Sequence, residues 1–225
     1  MGAALQAAAQ TVPAEMAPKS LHTYFLRPGE WGAPTDLEID ELSNGRSFAT
    51  RSVSVKQNAR QFAVMTASFN IPRDGIEWQA SNVSGIAAPE DLKPIPVTLP
   101  LDDLIEVRPL LPPTELDPAR PLHPYWARWL APLADANAHS AALAFISDYL
   151  VVRAFRHVGV EQDETTIRTL DQSVWFHHRA DVDDWLLFSA DPVSLSGGTG
   201  LTNGSVRTRD GLLVASFTQE VIVLG

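Results

Sequence analysis

The sequence predicts an α+β chain built from two consecutive units, each a helix followed by antiparallel strands. Three observations lead there. Aromatic and β-branched residues fill residues 169–225 in short strand-like runs, broken by Arg-Ala-Asp, Ser-Gly-Gly-Thr-Gly and Arg-Asp-Gly turns. The order of helix then strands occurs twice, on either side of a proline-rich link. Shifting the chain by 150 residues without a gap lays Thr23-Tyr24-Phe25 on Ser173-Val174-Trp175 and Val64-Met65-Thr66 on Val214-Ala215-Ser216, as an internal duplication would.

The elements follow in order. Residues 2–10 are alanine-rich and helix-favouring, and Pro13 ends the run. Residues 20–27, 36–42, 47–56 and 61–70 read as strands, the middle two forming a hairpin around Ser43-Asn44-Gly45. Residues 71–101 hold five prolines and no sustained period, which marks a link. Short strands are expected over 104–111 and 123–130, then a helix over 137–156 whose middle is apolar nearly all round and therefore buried. Strands occupy the rest from Thr166, with residues 194–200 as a glycine-rich turn between two of them. One buried helix wrapped by an antiparallel sheet is the hotdog architecture. Two in tandem make a double hotdog, with modules at residues 1–97 and 98–225.

Composition narrows the function. The chain has 225 residues, 45% of them apolar, enough for a substantial core. A net charge of −10 without a basic stripe argues against a nucleic-acid or anionic-membrane partner. No apolar run approaches the ~20 residues that span a bilayer, and the start lacks the basic region of a signal peptide. The absence of cysteine removes thiolate chemistry and suits a reducing compartment, so a cytoplasmic protein is expected. His177-His178 lacks a partner at metal-ligand spacing, and no metal or cofactor is expected. Gly-x-Ser-x-Gly is absent.

Two polar residues stand on apolar faces. In the last strand Leu213, Ala215, Phe217, Gln219, Val221 and Val223 share one side, so Gln219 is a buried amide that needs partners. In the second helix Asp148 has Ala144, Phe145, Val151 and Val152 at helical spacing, all apolar. A carboxylate there either raises its pKa or finds donors, and it can serve as a general base or brace a loop. Ser147 beside it reads as a helix serine bonded to its own backbone. Thr169 falls on a strand face with Ile167, Asp171 and Ser173, an ordinary place for threonine.

The stretches LDQSVWFHHRADVDDWLLFSADPVSLS, DGLLVASFTQE, SLHTYFLRPG and MTASF, with EVRP at residues 106–109, resemble the acyl-CoA thioesterase II family, and the match runs in order through nearly the whole chain. The resemblance implies a double hotdog that hydrolyses acyl-CoA to free acid and CoA, without a metal. By motif, the family's catalytic Asp, hydroxyl residue and Gln fall on Asp148, Thr169 and Gln219, as the base and two water-orienting groups. The chain departs from the pattern in three places. It starts inside the first helix, without the family's leading strand and Gly-Gly-Gln, so a truncated first module is expected. Asp171-Gln172-Ser173 stands where Asp-His-Ser is usual, and Thr199-Gly200 and Asn203 replace an arginine pattern that would favour CoA phosphates. An incomplete sheet with an open edge suggests a homo-oligomer. The alternative is a catalytically weak or inactive acyl-CoA-binding hotdog protein.

Overall fold

The structure is a computed structural model, and it describes residues 1–80, 85–97, 103–110, 124–158 and 167–223. The expected module boundary at residues 97 and 98, the strand ends at Leu111 and His123 and the strand start at Thr166 touch residues outside that set. The elements run α1 (Gly2–Ala9), β1 (Ala17–Phe25), β2 (Asp36–Asn44), β3 (Phe48–Gln57), β4 (Arg60–Asn70), β5 (Ile105–Pro109), β6 (Tyr125–Trp129) and α2 (Ala136–Tyr149). A 3-10 helix (Val151–Val158) follows, then β7 (Ile167–Phe176), β8 (Leu186–Ser196), β9 (Thr199–Arg207) and β10 (Leu213–Val223).

The ten strands form one antiparallel sheet in the order β2-β3-β4-β1-β7-β10-β9-β8-β6-β5. The two halves are therefore not separate sheets, because β1 pairs directly with β7, with Thr23 opposite Gln172. Outward from that junction the order is β1-β4-β3-β2 on one side and β7-β10-β9-β8 on the other, so the halves match strand for strand. β5 and β6, which precede α2, have no described counterparts ahead of α1. The ungapped offset of 150 does not hold throughout. Thr23 faces Met65 across β1 and β4, whereas Ser173 faces Thr218 rather than Ala215, so the duplication carries a three-residue shift. The glycine-rich stretch is a turn between β8 and β9, where Gly197 and Gly198 adopt φ of 60° and 78°, values that favour glycine.

The second helix is shorter than the sequence suggests. Asp135 caps its start by accepting the Ala138 N–H at 2.8 Å, and it ends at Tyr149. Val151 and Val152 are β-branched, which lowers their helix propensity slightly. The tighter 3-10 turn that replaces it eclipses Val151 and Ala154, both buried.

The two helices and the inner sheet face share one core, which includes Leu5, Ala8, Met65, Phe69, Leu143, Ile146, Phe188 and Phe217. Small residues let α1 and α2 meet closely, since a Cβ on Gly2 would lie 2.6 Å from the Ala141 carbonyl oxygen. A buried arginine fixes the far end of α1. Arg51 on β3 is 1% exposed and donates to the Thr11 hydroxyl and carbonyl, to the carbonyls of Ser43 and Thr50 and to the Asn44 side chain, at 2.7–3.0 Å. Its fork ties the segment after α1 to the β2–β3 hairpin. Arg51→Met removes the hydrogen bonds of a buried guanidinium, with an expected loss of about 1.5–3 kcal/mol in urea unfolding. A loss under ~0.5 kcal/mol, the range of ordinary surface changes, contradicts this role.

Candidate functional site

The site is built where the last turn of α2 meets the centre of the sheet. Asp148 sits in that turn, next to carbonyls with no helical partner, a position that a carboxylate occupies against the helix dipole. Gln219, fully buried on β10, donates its amide Nε2 to Asp148 Oδ1 at 2.5 Å and to Gln172 Oε1 at 3.1 Å. Gln172, on β7 directly opposite Gln219, donates its own Nε2 to Ser147 Oγ at 2.9 Å. Ser147 donates in turn to the Ala144 carbonyl at 2.8 Å.

This chain of bonds fixes the direction of every amide in it. The Ser147 hydroxyl proton is committed to the helix carbonyl, so the oxygen accepts from Gln172 and must meet its NH2. The Gln172 carbonyl then faces Gln219, whose NH2 is drawn to both acceptors. Gln219 Oε1 is left as a buried acceptor with no hydrogen-bond partner among the described residues.

Polar groups continue to either side. Thr23 on β1, Gln172 on β7, Gln219 on β10 and Thr202 on β9 lie in register across four adjacent strands, and all are buried. The hydroxyls of Thr23 and Thr202 are also without a partner among the described residues. Burial is costly for such groups unless something bonds them, so this row is a polar stripe across an otherwise apolar sheet face.

Burial pushes the Asp148 carboxyl up to about 6, against the downward pull of the Met1 amino terminus and of the Gln219 hydrogen bond. Asp148 as a residue keeps some exposed surface, so its surroundings are dry without being sealed.

Thr169 lies on β7 beside a break in its pairing. A bulge at Leu170 shifts the pairing between β7 and β10, so that Val221 faces Thr169 while Glu220 faces Asp171. Thr169 is therefore not on the face of Asp171 and Ser173, as simple alternation predicts. It stays with Ile167 on the inner side, together with Gln172, and is half-buried. Its hydroxyl makes no direct hydrogen bond with Asp148 or Gln219. Thr169 and Gln219 are diagonal neighbours across β7 and β10, roughly 7–8 Å apart at the backbone, a span that a long side chain can reach.

Asp148 and Gln219, picked out by pattern, are in contact. Gln172 was missed, although Leu170, Gln172, Val174 and Phe176 alternate in the way that singled out Gln219. Ser147 was assigned its bond to the helix, and its second partner was not visible.

An apolar cleft of about 390 Å³ begins one turn before Asp148, at Phe145, and runs between α1 and α2 past Ala142, Leu133, Trp129 and Leu104. His139, Asp181 and Asp183 bring three ligand atoms within 4.8 Å of one another near the start of α2. Both carboxylates are exposed, and His139 Nδ1 already accepts the Val182 N–H. Glu106, from EVRP, accepts from Arg108 and Arg128, and both guanidinium groups lie over Trp185, at 4.9 and 4.6 Å. That part of the motif is structural.

Comparison with known proteins fits this geometry. Residues 1–70 match the model of the acyl-CoA thioesterase N-terminal domain, and residues 86–223 that of the C-terminal domain. The chain is 30% identical to acyl-CoA thioesterase 2 of Haemophilus influenzae, across 98% of this chain and 84% of that protein. It is 28% identical to acyl-coenzyme A thioesterase 8 of Mus musculus, across 99% and 78%. The crystal structure of acyl-CoA thioesterase II from Mycobacterium marinum superposes with a TM-score of 0.83 at 31% identity, covering 99% of this chain and 86% of that one. A hot dog fold protein of unknown function from Alicyclobacillus acidocaldarius gives 0.79 at 24%, covering 98% and 84%. Matched in both halves and over nearly its whole length, the chain has the hotdog fold and belongs to the acyl-CoA thioesterase II family.

Proposed function

We propose that the protein hydrolyses medium- or long-chain fatty acyl-CoA to the free acid and CoA, with Asp148 as general base and Thr169 and Gln219 orienting the attacking water. The observation that carries this reading is the contact of buried Gln219 with a half-buried Asp148. Water donates one proton toward the carboxylate and the other toward Gln219 Oε1, the acceptor that the Ser147–Gln172 bonds leave without a partner among the described residues. As its oxygen adds to the thioester carbonyl carbon, Asp148 takes the proton. The carbon–sulfur bond then breaks, and the thiolate leaves with that proton. The Thr169 hydroxyl is a donor for the water or for the developing oxyanion. The apolar cleft beginning at Phe145 suits the acyl chain.

The reading extends to the architecture. Matching strand orders around the β1–β7 junction support a double hotdog, with modules at residues 1–97 and 98–225. Among the described residues no helix is long and apolar enough to cross a membrane. We place the protein in the cytoplasm as a homo-oligomer, for which the exposed Tyr24, Phe48 and Trp175 offer apolar surface.

The acid must be ionised to act. The logarithm of kcat/KM should rise with pH to an inflection near 6 and stay flat above it, as expected for a base at about 6. Asp148→Asn should cut kcat by roughly 100- to 10,000-fold while the protein stays folded. Free-thiol release from an acyl-CoA panel measures both, and undiminished turnover by the variant removes Asp148 from the mechanism. Stability has the opposite slope: between 3.8 and about 6 the folded protein holds this proton more tightly than the unfolded chain, so the group's contribution falls as pH rises through that window.

Ser147→Ala frees the Gln172 amide to turn and weakens the bond that lowers the acid's pKa. The inflection should move upward by up to about one unit. A role in packing alone leaves it in place.

A further inference from the structure

The chain carries a net charge of −10, yet two adjoining clefts beyond the end of β7 gather cations. They measure about 610 and 320 Å³ and share Lys19, Arg73, Glu77, His177 and His178. Arg179 lines the smaller, which therefore holds three permanent cations and two imidazoles against one carboxylate. The larger adds Asp210 and the Trp78 indole, 86% exposed.

Among the described residues none of Lys19, Arg73 and Arg179 is paired with a carboxylate. Lys19 donates to the Phe176 carbonyl at 3.2 Å and Arg73 to the Ser47 hydroxyl at 2.5 Å, both neutral partners. Burial, then Lys19 and His178, hold the His177 imidazole below its ordinary pKa, as expected where positive charge lacks a counterion. Nor are the walls loose loop. Gln79 donates to the Gly211 carbonyl at 3.0 Å and accepts the Leu213 N–H at 2.9 Å, which clamps the segment carrying Trp78 against the start of β10.

The clefts and the acid lie along one seam. Phe176, in the smaller cleft, is four residues beyond Gln172 on β7, about 13 Å at the usual strand rise. Ser140, also in that cleft, is two turns before Ser147 on the same face of α2. The two-amide pantetheine arm of CoA has the length of roughly four residues of extended chain.

We propose that this pair of clefts binds the phosphorylated nucleotide end of acyl-CoA, with its phosphates against Lys19, Arg73 and Arg179 and its adenine against Trp78. The assignment rests on the thioesterase reading. Phosphates find charge-assisted donors in the smaller cleft, and the base finds a flat aromatic partner in the larger.

The test is the double variant Lys19→Ala/Arg73→Ala, with adenosine 3′,5′-bisphosphate binding followed by calorimetry. The wild type should bind this probe and the variant should bind it at least about tenfold more weakly, a difference of one decade in Kd. KM for acyl-CoA should rise about tenfold with kcat nearly unchanged, whereas an acyl-pantetheine, which lacks the nucleotide, should be turned over equally by both proteins. Equal probe binding by the two proteins overturns the assignment, as does an equal KM rise for acyl-pantetheine. If the wild type cleaves neither substrate, the thioesterase reading fails, and probe binding still decides whether the clefts hold the nucleotide.

Discussion

The bond from Gln219 to Asp148 joins the end of the second helix to the middle of a ten-stranded sheet, and most of the surrounding architecture exists to make that approach possible. It needs β10 beside β7, so that two amides face each other. It also needs a helix that stops at Tyr149, so that the acid lies over the strands rather than along a continuing turn. A carboxylate at a helix C-terminus, pushed up by burial, works against stability. Such strain is common where a group must act, and here the Met1 amino terminus and the Gln219 hydrogen bond partly offset it.

The continuous sheet places the polar row at the junction of the two halves. Thr23 comes from the first half, and Gln172, Gln219 and Thr202 from the second, so neither half alone supplies the whole row. Arg51 contributes at a distance, holding α1 on the sheet, and the close crossing at Gly2 sets the start of α1 against Ala141 and Phe145 of α2.

Much of this was legible in the sequence wherever local periodicity was enough. Alternation put Gln219 on the buried face of β10, and an apolar setting made Asp148 conspicuous within its helix. Thr169 was reachable only through the family resemblance, because the bulge at Leu170 reverses the alternation and no local signal announces a bulge. The early end of α2 was hidden for a similar reason: a 3-10 turn and an α-helix ask for nearly the same residues, and burial of Val151 and Ala154 chose between them. The pairing of β1 with β7 joins strands about 150 residues apart, which no pattern within either strand encodes. Gln172 shows the opposite case, a signal present in the alternation of its own strand.

Whether Asp148 activates water or attacks the thioester itself is the choice on which the account turns. A single turnover of acyl-CoA in H2(18)O, with the oxygen isotopes of the released acid and of Asp148 read by mass spectrometry, measures it directly. The account predicts one labelled oxygen in the acid and none in Asp148. Label in Asp148, with unlabelled oxygen passed to the acid, means a covalent anhydride and contradicts a base acting through water.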